Sequence, residues 1–471
     1  MLDPVIFSQE IISLARNRRF TVPSLQTQGI LTADTLIWIE NNQKHILELK
    51  DVVGVSYLPE SSLAGFVVYA YPLVRDGILW KKRRRVLKKY RFACPDNETR
   101  SQWIKAINNT LRGLPVDSIY PFLPRHLHVL LNPASGKKKA RKILQQVRSL
   151  WENSQIQITV TETSSAGEAE KFIQTLVLDK IDGLVIIGGD GTIYEVINGI
   201  MKRPDWETAI TIPIGIIGAG TGNGLCKTIL DLAGEPYDPI GAAFLIAKGK
   251  TRPLDLAVVQ QQRCRYYSLL SLSWGFISDV DIESDRLRYL GSWKNTIYAI
   301  LRILSLRTYK GRLFLETVTN SNLKTQSQCT SFEKCTICSE STTTPSSSFE
   351  NTIAQETVPK TIADDFILVW AMNVIWAAYD LKAAPYAHLS DGTMDLLVIR
   401  RGISRWQLLF AFLRSANGKH IALPYVEYYK VRSFRLEPLC DRGILAIDGE
   451  QVEYSPLQLQ VLRGIARIFG C

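Results

Sequence analysis

An aspartate stands inside a run of glycines at Gly188-Gly189-Asp190-Gly191-Thr192, where a short apolar segment, Leu184 to Ile187, gives way to helical spacing at Tyr194, Val196, Ile197 and Ile200. Glycines allow a sharp turn and let a ligand approach the backbone. A helix that begins there points unpaired N–H groups and its positive dipole end at the turn, which suits a polyphosphate. A carboxylate in the same place repels phosphate. Asp190 therefore implies a further role, whether accepting a proton, binding a metal or capping the helix.

Two more apolar segments break in the same way. One ends at Asn132-Pro133-Ala134-Ser135-Gly136, followed by Lys137 to Lys139; the other ends at Gly218-Ala219-Gly220-Thr221-Gly222-Asn223. Three strand, glycine-turn and helix units predict a parallel α/β sheet whose turns collect at the carboxyl ends of the strands, where ligands bind. Neither the G-x-x-x-x-G-K-[ST] nor the G-x-G-x-x-G fingerprint fits, which argues against P-loop NTPases and dinucleotide-binding dehydrogenases.

NPASGK, GGDGTIYEV and GAGTGN, in that order, resemble the catalytic domain shared by diacylglycerol, ceramide and sphingosine kinases. MKRPDWETAI (201–210), SLLSLSWGFISDVDIESDRLRYLG (268–291), LRTYKGRL (306–313), FRLEP (434–438) and AIDGE (446–450) resemble sphingosine kinases in particular, so that the likeness spans 125–471. It implies an ATP-dependent kinase of sphingosine and related long-chain bases, with a ceramide or diacylglycerol kinase, or a non-catalytic lipid-binding protein, as alternatives. The implied fold is an α/β nucleotide-binding domain followed by an antiparallel β-sandwich that supplies the lipid pocket. By the same resemblance Asp190 is the catalytic base, and Asn132, Pro133, Ala134, Thr161, Glu162, Thr163, Ser164, Ser165, Glu195, Gly220, Thr221 and Gly222 line ATP. Asp448, Gly449 and Glu450 return to the nucleotide from the second domain. Arg288 matches a phosphate-contacting arginine, and Lys294 stands where relatives have a second arginine, which keeps the charge and loses the bidentate fork.

Gly188, Gly189, Asp190 and Gly191 would also face the lipid hydroxyl, with Ser271 and Asp281 at the headgroup. Sphingosine carries an ammonium group where ceramide and diacylglycerol carry neutral groups, and a partly buried cation needs a carboxylate. Asp281 fits that need; the competing expectation is that it caps a helix beginning at Ile282. Mg²⁺ is expected with ATP, and no carboxylate cluster names its ligands.

The elements that must position these residues follow from composition and pattern. At 471 residues, 46% hydrophobic and 21% charged, the chain can bury sizeable cores in two or three domains. We expect domains at 1–123, 124–253 and 254–471. In the first, short alternating segments from Gly29 to Phe92 and a helix over 97–111 carrying Trp103, Ile104 and Ile107 suggest an antiparallel meander similar to a pleckstrin-homology domain. The run Lys81 to Arg85 reads as a basic loop between two strands. With the formal charge of +11 it favours anionic partners such as ATP or an acidic membrane surface. Nucleic acid is not expected, because no aromatic stacking motif accompanies the basic run.

In the third domain LDLAVVQ, YYSLLSLSW, RLFLETV, FILVWAMN, MDLLVIRRG, SFRLEP and ILAIDGE read as antiparallel strands, with 282–309 as the main helical insert. The Ser/Thr-rich stretch 318–360 reads as a disordered insertion between two strands. Its Cys329, Cys335 and Cys338 form an incomplete tetrahedral set, and unliganded thiols are expected. Eight scattered cysteines and no run of about 20 apolar residues point to a cytoplasmic chain that meets membranes peripherally.

Overall fold

The computed structural model describes residues 5–16, 21–23, 27–40, 42–58, 64–76, 82–120, 123–135, 139–284, 286, 293–318, 329, 335, 337–338 and 357–470. Two compact units emerge. One comprises Met1–Leu127, Gln145–Ile158 and Asp238–Lys248; the other comprises His128–Leu144, Thr159–Tyr237 and Gly249–Cys471.

In the first unit the expected meander is present, laid out as Gln43–Glu48, Thr35–Glu40, Thr27–Thr32, Val5–Arg16, Lys88–Cys94, Ala64–Ala70 and Val52–Tyr57. The strand Val5–Arg16, which the sequence did not announce, sits in the middle of that order. The helix Asn97–Leu111 starts where Asp96 accepts the Thr99 amide at 2.7 Å, and it buries Trp103, Ile104 and Ile107. Phe66, Phe92 and Trp38 complete that core.

The basic run is not a loop. Lys82–Arg85 is itself a strand paired with Leu73–Asp76, and Lys81 lies outside the described residues. Pleating divides its charge. Arg83 and Arg84 are exposed, whereas Arg85 turns inward to Asp51 at 2.9 Å, to the Tyr71 carbonyl at 2.5 Å and over the Phe244 ring at 3.5 Å.

The large sheet begins with the strands Gln157–Glu162, His126–Leu131, Gly183–Gly188 and Ile214–Gly218 side by side. The last two run parallel, Leu184 opposite Ile214 through Gly188 opposite Gly218. Every residue of Gly183–Gly188 is buried, as a strand covered on both faces requires. The sheet does not stop at Ile214–Gly218. The strand Leu457–Phe469 joins it in parallel, Ile214 opposite Ile468, and continues into an antiparallel array, so that fourteen strands form one mixed sheet.

That array contains the expected strands, among them Thr251–Gln261, Ser271–Gly275, Tyr309–Val318, Thr357–Met372, Met394–Arg400 and Glu427–Pro438, around a core of Trp274, Phe366, Phe434 and Leu459. Two expectations shift. Among the described residues the helical insert over 282–309 is two helices, Phe276–Glu283 and Trp293–Leu304, and a further helix, Arg405–Ser415, begins at a Ser404/Gln407 capping box.

Val318 pairs with Thr357, so the hairpin strands close to the very ends of the Ser/Thr-rich stretch. The expected disordered insertion lies mostly outside the described residues; Cys329, Cys335, Ile337 and Cys338 are described. No helix among the described residues is long and apolar enough to cross a membrane.

Candidate active site

The glycine run is less a loop than a hinge of one residue. The strand ends at Gly188, Gly189 is the N-cap, and Asp190 is already the first residue of the helix Asp190–Met201. Its Oδ2 accepts the Gly224 amide at 3.2 Å, while Oδ1 is buried and has no hydrogen-bond partner among the described residues. Loss of solvent pushes the carboxyl up to about 6, against the lowering pull of the Gly224 and Asn223 amides and with the added repulsion of Asp448. A half-buried carboxyl with one idle oxygen, at a helix N-terminus, is equipped to take a proton.

Glycines surround it because side chains would not fit. A Cβ on Gly222 would stand 2.7 Å from Asp190 Oδ2, and one on Gly220 would stand 2.6 Å from the Gly189 Cα. The backbones of the second and third turns therefore meet at van der Waals distance. Asn223, in the left-handed region at φ 59°, locks the third turn by accepting the Gly220 amide at 3.0 Å and donating to the Gly220 carbonyl at 2.7 Å and Tyr237 Oη at 2.9 Å. The first turn is tied in through Asn132, whose Nδ2 donates to Thr192 Oγ1 at 3.0 Å and whose Oδ1 accepts the Ala134 amide at 3.1 Å. Pro133 continues this turn, and Ala134 is exposed.

The neighbouring stretch has mixed employment. Thr161 Oγ1 meets His128 Nε2 at 3.0 Å, Thr163 is buried, and Glu162 pairs with Arg141 at 2.6 Å on the surface. Glu168 gathers the Ser164 amide and hydroxyl at 2.5 and 2.6 Å and the Ser165 amide at 3.1 Å. Glu195 accepts the Ala169 amide at 3.1 Å, in the first turn of the helix Glu168–Thr175. This side chain caps a helix that flanks the site.

From the far part of the unit, Asp448 arrives in the left-handed region at φ 51° and 5% exposed. Its carboxylate is fully engaged: Oδ1 accepts Ser268 Oγ at 2.6 Å and the Leu270 and Ser271 amides at 3.0 and 2.8 Å, and Oδ2 accepts the Leu269 amide at 3.0 Å. What it offers Asp190 is its charge. Gly449 follows at φ 85°, and Glu450 reaches the helix start, its Oε1 2.8 Å from where a Cβ on Gly191 would be.

The same Asp448 clamp fixes Ser271, which is buried at the head of the strand Ser271–Gly275. Gly275, at φ 87°, turns that strand into the helix Phe276–Glu283. Asp281 is half-buried on this helix, five residues past its start, and so is not the cap of a helix beginning at Ile282. Sequence reasoning passed over Asp279, which is 1% exposed, accepts from Tyr309 Oη at 2.5 Å and leaves Oδ1 without a partner among the described residues. Arg288 lies outside the described residues, and Lys294 is placed on the helix Trp293–Leu304 by its backbone alone. Thr192 and Asn223, which brace the turns, stand within the quoted motifs but were not singled out, since nothing local marks a bracing side chain.

Comparison with known proteins agrees with this geometry. The diacylglycerol kinase catalytic domain matches residues 126–259, and the YegS C-terminal NAD kinase beta sandwich-like domain matches 352–470. Sphingosine kinase 1 of Arabidopsis thaliana is 36% identical over 74% of this chain and 76% of its own length. Sphingosine kinase 1 of Homo sapiens is 34% identical over 72% and 89%, and human sphingosine kinase 2 is 29% identical over 90% and 86%.

Proposed function

The chain belongs to the sphingosine kinases, lipid kinases built on the diacylglycerol kinase catalytic domain, and on that premise we propose how its residues divide the work. The reaction is transfer of the γ-phosphoryl group of ATP to the primary hydroxyl of a sphingoid long-chain base. Asp190 receives the hydroxyl proton as the oxygen attacks phosphorus. The observation that carries this reading is the idle, buried Oδ1 of a carboxyl raised to about 6, set at a helix N-terminus between backbone turns too close for side chains.

The turns at Asn132 to Ala134, Gly189 to Gly191 and Gly220 to Gly222 cradle the phosphates through backbone N–H groups, and Thr161 to Ser165 with Glu195 form the wall beyond them. Gly449 and Glu450 close the cradle opposite Gly191, while Asp448 holds that return in place. Arg288 and Lys294 contribute positive charge to phosphate binding. Mg²⁺ bound with ATP would offset phosphate charge, and Glu450, whose Oε1 lies beside Gly191, is the cradle carboxylate that would hold it, leaving Asp190 to the proton.

Asp281 pairs with the substrate ammonium and Ser271 supports the headgroup. Residues 1–123 act as a pleckstrin-like module, 124–253 as the nucleotide domain and 254–471 as the lipid domain. The substrate lives in a bilayer, so the cytoplasmic enzyme must meet one. Supporting this, the helices Trp293–Leu304 and Arg405–Ser415, joined where Arg405 Nε donates to the Leu304 carbonyl at 2.8 Å, expose Leu301, Leu304, Trp406 and Leu413.

Purified protein with ATP and sphingosine, ceramide or diacylglycerol in separate reactions tests the reading. Phosphate should appear on sphingosine. Asp281→Asn should raise KM for sphingosine about 10- to 100-fold, the worth of a charge-assisted hydrogen bond, with KM for ATP unchanged. Phosphorylation of ceramide alone, or an unchanged sphingosine KM, overturns the substrate assignment.

A further inference from the structure

Three cysteines of the Ser/Thr-rich insertion meet a histidine that lies some fifty residues further along the chain. Cys329, Cys335, Cys338 and His388 each turn one ligand atom toward the others, all within 4.8 Å. Cys335 Sγ is 3.4 Å and Cys338 Sγ 3.7 Å from His388 Nε2, and Cys329 and Cys338 stand 3.4 Å apart, sulfur to sulfur. A disulfide needs about 2.05 Å, so these thiols are not bonded to each other. Four atoms around a zinc ion at about 2.3 Å for sulfur and about 2.0 Å for nitrogen would be separated by about 3.5 to 3.8 Å. The observed spacings surround that value.

We propose that Cys329, Cys335, Cys338 and His388 form a structural zinc site that pins the insertion onto the sheet. The donor set is soft, three sulfurs and one imidazole, which selects Zn²⁺ over Mg²⁺ or Ca²⁺. All four positions are filled by the protein, so the site is closed and not catalytic. The incomplete set read from the cysteines alone is completed by His388.

The surroundings fit an anionic cluster. A zinc ion with three thiolates and a neutral imidazole carries one net negative charge. Arg252, 1% exposed on the strand Thr251–Gln261, donates Nη2 to Cys329 Sγ at 3.1 Å and to Cys338 Sγ at 3.5 Å. Ser390 Oγ donates to Cys338 Sγ at 3.5 Å. From the strand Leu457–Phe469, Arg463 ties both ligand segments together, donating Nη2 to the Ile337 carbonyl at 3.0 Å and Nε to the Ser390 carbonyl at 3.2 Å. One contact must change on loading: His388 Nδ1 accepts the Ser390 amide at 3.1 Å, and a metal on Nε2 puts the proton on Nδ1.

The test uses the full chain, purified without a histidine tag. Elemental analysis by plasma mass spectrometry should find about one zinc per chain, and Co²⁺ exchanged into the protein should give the visible bands of a tetrahedral ion with a near-ultraviolet thiolate charge-transfer band. His388→Ala should weaken metal binding at least about tenfold. His388→Cys, which keeps four ligands, should retain zinc with an altered Co²⁺ spectrum, and Cys264→Ser, at an exposed cysteine elsewhere, should change neither readout. Zinc removal by a chelator should speed protease cleavage within 319–356, and zinc should reverse it. Substoichiometric zinc together with no saturable Co²⁺ spectrum in the unaltered chain, or a Cys329–Cys338 disulfide found by mass spectrometry of the non-reduced protein, overturns the proposal.

Discussion

Asp190 works against the fold that holds it. Its raised pKa means that the folded protein binds this proton more tightly than the unfolded chain does, so ionising it opposes folding. The stability it contributes is full below its ordinary value of 3.8 and is lost as pH rises through about 6. The base role proposed for Asp190 needs the opposite state. The profile of kcat/KM for sphingosine should therefore fall below about pH 6 and level off above it. Asp190→Asn should lower turnover by about 10²- to 10⁴-fold while raising Tm at pH 7.5, and calorimetry should find the Tm gain shrinking toward pH 4. Normal turnover in this variant would remove Asp190 as the base, and a Tm gain independent of pH would remove the linkage. The residue could be read from sequence because its glycines flank it directly. Asp448 was expected at the nucleotide by resemblance, but its partners, Ser268 to Ser271, lie about 180 positions upstream, and only folding shows that its carboxylate serves them. His388 was hidden for the same reason.

At the scale of elements, the cradle depends on how closely three turns approach. Gly222→Ala puts a methyl group 2.7 Å from Asp190 Oδ2, the movable end of a side chain, so the expected damage is to chemistry. We expect kcat to drop about 100-fold, the effect of misplacing a catalytic group by about 1 Å, with little change in Tm. Gly220→Ala meets the Gly189 backbone instead and should lower Tm as well; equal Tm for the two variants would contradict this contrast. Asn97–Leu111, by its helical period, and Gly183–Gly188, by its unbroken apolar run, were legible because local pattern dictates them. The helix Phe276–Glu283 was misplaced because its first residue, Phe276, prolongs an apolar strand, and the break is made by backbone geometry at Gly275 rather than by a polar cap. In Leu457–Phe469 the alternation of Leu457, Leu459 and Val461 is visible, but no local pattern says that its neighbour is Ile214–Gly218.

At the scale of the whole molecule, an enzyme for a membrane-borne amine must reconcile a water-facing nucleotide site with a lipid source. Leu304, Trp406 and Leu413 are 61%, 79% and 63% exposed, which is far more than side chains of this size need for folding. Trp406→Asp with Leu304→Asp should cut the fraction bound to acidic vesicles about tenfold in a flotation assay, with activity toward detergent-dispersed sphingosine retained. Undiminished vesicle binding would move the docking surface elsewhere. The mixed sheet also imposes a timetable. The strand next to Ile214–Gly218 is supplied about 250 residues later, at Ile468. During synthesis at about 5–20 residues per second, the strand Ile214–Gly218 therefore waits on the order of 10 to 50 s with an open parallel edge. The nascent kinase cannot finish the sheet beneath its glycine turns until its last strand is made, so that edge is the chain's exposed flank for most of synthesis.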